Sequence, residues 1–205
     1  MGRKVIAGLW AVLLLCGMTG CGGGKAPPGE TAAEPWKNAY AAFLRDPANY
    51  KEEDPYHAFG FVLADFDNDS SPELILVYGD DHQGGALFAD VYSYSGKVRI
   101  VGQKIDMFYK GIYLSTDPAF PGVFVEGGRN STFRCNYWTI KNNKFVDIPL
   151  WTDIADMETH DMVFTELTDN KQLIAEAKKV RSLYPNGIKF SAIDEAAIQM
   201  MLDVE

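Results

Sequence analysis

From Ala58 to about Ile148 the chain repeats one texture, and that repeat most limits how it can fold. Short β-branched and aromatic runs alternate with turn residues at about ten-residue spacing. The runs are Phe59–Ala64, Glu73–Tyr78, Leu87–Tyr94, Val98–Val101, Phe108–Leu114, Gly122–Glu126, Phe133–Ile140 and Lys144–Ile148. Parallel pairing needs crossovers of a dozen residues or more, and these connections are too short for that. Ser95-Gly96 and Asn142-Asn143 lie between alternating runs, where a tight hairpin turn wants residues that tolerate positive φ. An antiparallel β-meander follows.

Helical spacing frames the meander. Trp36, Tyr40, Phe43 and Leu44 form an apolar stripe, with Pro35 at its start and Pro47 at its stop, which predicts one N-terminal helix. Near the other end Leu173, Ala177, Val180 and Tyr184 mark a second helix, closed by Pro185-Asn186-Gly187. Ser191 and Asp194 have the spacing of a capping box before Ile193, Ala197, Met200 and Met201, which predicts a third. The expected fold class is α+β and strand-dominated, with the helices covering one face of the sheet.

The first 34 residues read differently. Arg3 and Lys4 precede an apolar run, Val5–Leu15, that is shorter than the roughly 20 residues a spanning helix needs. That pattern predicts an export signal over residues 1–20. Gly22-Gly23-Gly24 and the Pro- and Ala-rich stretch after it predict a flexible tether over 21–34. A single globular domain is then expected over 35–205, long enough for one core. The sequence MTGC, Met18–Cys21, resembles the lipobox of bacterial lipoproteins. The resemblance implies cleavage before Cys21, lipid on Cys21, and a domain anchored to the cell membrane and facing outside the cytoplasm. Cys16 would leave with the signal, so only Cys135 would remain as a thiol in the domain, and no internal disulfide can form. Cys135, inside a strand-like run, is expected to be a buried small apolar residue.

The net charge of −9 becomes two units more negative when Arg3 and Lys4 leave with the signal. Such a balance speaks against nucleic acid as a partner and is compatible with cations.

One stretch concentrates that charge. DFDNDSSPEL, Asp65–Leu74, places aspartates at alternate positions 65, 67 and 69 and a glutamate at 73, between two apolar runs. Carboxylates crowded into a turn repel one another unless a cation lies among them, and oxygen ligands at alternate positions suit calcium. The pattern resembles the DxDxDGxxD calcium loops of FG-GAP and integrin-like repeats. FVLADFDNDSSPELILV also resembles a segment common in lipoproteins of Gram-positive gut anaerobes. The FG-GAP resemblance implies calcium bound by the carboxylates of Asp65, Asp67 and Asp69, the Ser71 carbonyl and Glu73. Two departures stand out: Ser70 holds the position where that family has glycine, and Glu73 replaces an aspartate. An EF-hand is excluded because its twelfth position is Leu76, not a bidentate glutamate.

Elsewhere the chemistry is thin. Asp80-Asp81-His82-Gln83-Gly84-Gly85 is a polar loop, His57 and His160 lack metal-ligand spacing, and no phosphate loop or GxSxG elbow occurs. The leading expectation is a lipid-anchored envelope domain that binds an unidentified envelope ligand or protein, steadied by one calcium ion, and not an enzyme. The alternative is an envelope hydrolase acting on glycan. It rests on the aromatic content, including Tyr137, Trp138 and Trp151, and needs two carboxylates facing each other across a cleft.

Overall fold

The computed structural model describes residues 34–50, 56–79, 86–107, 111–129, 131–156, 159, 161–184 and 187–203. The export signal, Cys21 and the tether up to residue 33 lie outside the described residues. So do the Asp80–Gly85 loop, His160, Pro185 and Asn186.

Helix α1, Pro35–Arg45, opens on a proline and ends before Pro47, as its sequence dictates. Among the described residues ten strands follow in order: β1 His57–Ala64, β2 Glu73–Gly79, β3 Phe88–Tyr94, β4 Val98–Asp106, β5 Gly111–Leu114, β6 Val123–Arg129, β7 Thr132–Lys141, β8 Lys144–Ala155, β9 Met162–Glu166 and the two-residue β10, Ser191–Ala192. Helix α2, Lys171–Leu183, precedes β10, and α3, Glu195–Asp203, comes last. The chain is therefore α+β and strand-dominated, with one N-terminal and two C-terminal helices.

The meander is divided. One antiparallel sheet has the order β10-β1-β2-β3-β4 and the other β5-β6-β7-β8-β9. Their facing sides share one core: Val62, Ile75, Val77, Ala89 and Val91 from the first meet Ile112, Val123, Val125, Trp138 and Ile140 from the second. The outer side of the first sheet, through Phe61, Leu74, Leu76, Tyr78 and Tyr92, carries α1 and α3. The outer side of the second, through Tyr113, Phe124, Tyr137, Leu150 and Trp151, carries α2. This corrects the expectation that all helices cover one face. The reason lies in β2, whose seven residues are all buried. Its unbroken apolar run, unlike an alternating one, needs cover on both sides.

Local signals mostly behave as the residues require. Gly96, Asn142 and Asn143 all take positive φ (78°, 54° and 58°) in their hairpin turns. At the start of α3 the expected Ser191 cap is replaced. Asp194 itself caps, accepting from Ala197 N at 2.8 Å, while Ser191 belongs to β10. Asn170 caps α2, accepting from Leu173 N at 3.0 Å. Strand β8 runs past Pro149, where the expected run stopped, because the β7–β8 register shifts between Cys135 and Asn136. A bulge is one of the few places where a sheet accepts a proline.

Candidate metal centre

The loop Asp65–Pro72 joins β1 to β2, which pair from Ala64↔Glu73 onward, so Asp65 and Glu73 sit at the two feet of the turn. Its curl is built from Asp side chains holding backbone N–H groups. Asp65 Oδ1 accepts from Asn68 N at 2.7 Å and Asp67 N at 3.2 Å, and Asp65 Oδ2 accepts from Ser70 N at 3.2 Å. Asp67 Oδ1 accepts from Asp69 N at 3.3 Å, and Asp69 Oδ1 from Ser71 N at 2.7 Å. Two residues turn left-handed, Asn68 (φ 61°) and Ser70 (φ 71°). Asparagine tolerates that conformation, while Ser70, where glycine was the expected residue, costs about 1 kcal/mol.

The curl draws three carboxylates together. Asp65, Asp67 and Glu73 each offer an oxygen within 4.8 Å of the others, a group able to hold a metal ion. Asp69 is exposed and outside that trio, and the Ser71 N–H is turned to Asp69. Glu73 is 1% exposed, and its Oε2 accepts from Phe66 N at 2.8 Å. Burial, above all, pushes its carboxyl up to about 8; the Phe66 N–H opposes this, and the negative charges of Asp67, Asp65 and Asp69 add to it. Asp67 is raised as well, by burial and then by repulsion from Asp69 and Asp65. Among the described residues no lysine or arginine pairs with any of the three.

One residue of the loop was not expected to matter. Phe66 sits between Asp65 and Asp67, yet it is fully buried in the core between the sheets. Its carbonyl accepts from Thr139 Oγ1 at 2.9 Å and Ile140 N at 3.3 Å, both on β7 of the second sheet. Asn68 Nδ2 adds a bond to Pro118 O at 3.0 Å, in the β5–β6 connection. The acidic loop thus belongs to the first sheet and is fastened to the second. A lone aromatic inside a polar turn was the available signal.

The remaining candidates separate from this centre. Cys135 is 2% exposed, and burial first, then the charge of Glu126, raises its thiol far above the usual range, which leaves it unreactive. Glu126 is itself buried and is met by Tyr113 Oη at 3.3 Å and Arg181 Nη1 at 3.0 Å. Asp90 is buried on β3 and accepts from Lys104 N at 2.8 Å, beside a register shift in β3–β4. That is the work of a carboxylate satisfying a bulged backbone. Gly127, Gly128 and Arg129 pair with Arg134, Phe133 and Thr132 on β7, so this stretch runs from strand to strand and is not a strand-to-helix phosphate loop; Asn130 lies outside the described residues. A groove of about 500 Å³, lined in part by Asp117, Phe120, Glu176 and Lys179, runs between the β5–β6 connection and α2. Burial pushes Glu176 up, but hydrogen bonds from Thr116 Oγ1 (2.7 Å), Thr116 N (2.8 Å) and Lys179 Nζ (3.0 Å) outweigh it and hold the carboxyl below its usual range.

No protein-family model, no curated protein and no solved structure matches the chain.

Proposed function

We propose that this chain is a lipid-anchored domain of the cell envelope. It would be tethered through Cys21 and would present a binding surface steadied by one calcium ion at Asp65–Glu73. The carrying observation is Glu73, a buried carboxylate set against Asp65 and Asp67 with oxygens within 4.8 Å. Like charges brought that close out of water need a cation or protons between them. Asp69, which lies outside the trio, and the Ser71 carbonyl would have to close in to complete the six to eight oxygens calcium takes. Magnesium suits the site less, because it keeps several waters.

The ion's work in this reading is mechanical. Two of its ligands flank Phe66, so fixing Asp65 and Asp67 fixes the Phe66 carbonyl on β7 and the Asn68 contact with Pro118. The surface that binds the envelope partner is then held by both sheets at once. The glycan-hydrolase reading has less support. Its general acid needs a carboxyl raised toward neutrality in a cleft; the buried carboxylate of the groove, Glu176, is shifted the other way, and the raised Glu73 is buried in the metal loop.

Thermal melting of residues 32–205 in EDTA, calcium and magnesium tests the ion. At a hundredfold excess over Kd, calcium should add about 2.7 kcal/mol. Magnesium should do less, and Asp67→Ala should abolish the gain. A melting curve indifferent to millimolar calcium would return the loop to an ordinary polar turn. The anchor is tested separately. Fatty-acid labelling of the full chain in a bacterial host should be complete for wild type and absent for Cys21→Ser, with the protein released from the membrane fraction. Unchanged membrane retention of the variant would remove the lipoprotein reading.

A further inference from the structure

We propose that β9 is a dimerisation edge, on which two copies of this chain join their second sheets by antiparallel β9–β9 pairing about a twofold axis at Phe164. This is independent of the calcium reading.

Strand β9 closes the order β5-β6-β7-β8-β9, and among the described residues nothing pairs with its far side. The direction of its backbone follows from two flanking bonds. Leu167 N donates to Leu150 O at 2.8 Å, and Asp161 O accepts from Asp156 N at 2.8 Å. Residues 161, 163, 165 and 167 therefore turn their polar backbone groups toward β8. By strand alternation the N–H and C=O groups of Met162, Phe164 and Glu166 point away from it. Edges left open in this way are ordinarily guarded by proline, lysine, a bulge or an inward charge. MVFTE has no proline and no lysine, its register with β8 is unbroken, and its one charge, Glu166, is ion-paired with Lys171 of its own chain.

The strand is complementary to itself. An axis at Phe164 sets that residue opposite its own copy, Met162 opposite Glu166 and Val163 opposite Thr165. Every outward N–H then meets an outward C=O. Asp161 falls opposite Leu167, so no two like charges of the strand itself face each other across the pair, and Lys178 Nζ, 5.0 Å over the Phe164 ring, lies beside the axis. The edge itself is apolar and open: Met162, Val163, Phe164 and Leu167 are each between 45% and 51% exposed. The side chains of one edge strand make a small interface, below the roughly 1,000 Å² of a stable one, which fits a dimer that forms only with concentration. A foreign strand would find the same edge but not the symmetric register, and this favours a second copy as occupant.

Sedimentation velocity of the full chain, in a density-matched detergent, should show a monomer–dimer equilibrium in the micromolar range. Phe164→Lys and Phe164→Glu, each at an exposed side chain, should each raise the dissociation constant at least tenfold without altering the circular dichroism spectrum. An equimolar mixture of the two should restore the dimer, because only a self-opposed position brings the lysine to the glutamate. If either variant loses its native spectrum, Met162→Glu, which faces Glu166 of the second copy, serves in its place and should weaken the dimer in the same sense. A wild-type chain that stays monomeric to millimolar concentration overturns the proposal. So does a folded Phe164→Lys or Met162→Glu that dimerises like wild type, or a mixture of folded Phe164 variants that remains monomeric.

Discussion

Phe66→Ala should lower the unfolding free energy by about 3–5 kcal/mol, the largest effect expected of any single change in the acidic loop. The ring is fully buried among residues of both sheets, so its removal leaves a cavity where the two layers meet. The backbone bonds to Thr139 and Ile140 would survive in principle, yet without the ring nothing else in the turn enters the core. Urea denaturation in EDTA reads the loss directly. A second readout separates packing from ion binding. Asp67→Ala should leave stability in EDTA nearly unchanged and remove the calcium response, whereas Phe66→Ala should lower stability in both conditions. A loss under about 1 kcal/mol for Phe66→Ala would mean that the sheets are not joined through this residue.

Metal-free protein should become less stable as pH rises from 4.5 to about 8, by about 1.4 kcal/mol per unit, and the slope should belong to Glu73. The sign follows from where the proton sits. Burial raises the folded carboxyl from 4.5 to about 8, so across that interval the folded chain keeps a proton the unfolded chain has lost. The contribution is fully present below 4.5 and is lost as pH climbs through the folded value. Calcium should flatten the curve by taking the proton's place, so that its own stabilising effect grows with pH. Denaturation at a series of pH values, in EDTA and in calcium, compares wild type with Glu73→Gln, which cannot titrate. If wild type and Glu73→Gln run parallel in EDTA, the buried-carboxylate account of this centre is wrong.

Much of this is legible in the sequence, and the gaps have physical causes. The short connections forced antiparallel pairing, and Asn142-Asn143 and Ser95-Gly96 marked their turns correctly. Asp65, Asp67 and Glu73 converge because period-two alternation, curled around Asp65, turns acids of one strand end inward. The division into two sheets is not marked by the turn spacing, although the unbroken Leu74–Tyr78 run requires cover on both sides of β2. Strand β9 has a weak signature because five residues after a polar stretch carry little periodicity. Strand β10 is two residues whose pairing with Gly60 and Phe61 depends on tertiary position. Phe66 was hidden by its setting, since spacing identifies ligands but does not say which residue between them enters a core.

The chain's path also orders its assembly. Strand β1 begins the first sheet, but its outer neighbour, β10, arrives only after the whole second sheet and α2 have been laid down. Helix α3 then reaches α1, where Glu195 Oε2 accepts from Arg45 Nε at 3.0 Å. The second sheet with α2 is thus nested inside the first, as a clause is nested in a sentence. Closing the outer unit means bringing together segments at nearly opposite ends of the domain, and loop-closure entropy opposes that step until the inner unit has shortened the distance between them. The residues that seal the first sheet therefore follow the strand that begins it by the length of a whole second sheet.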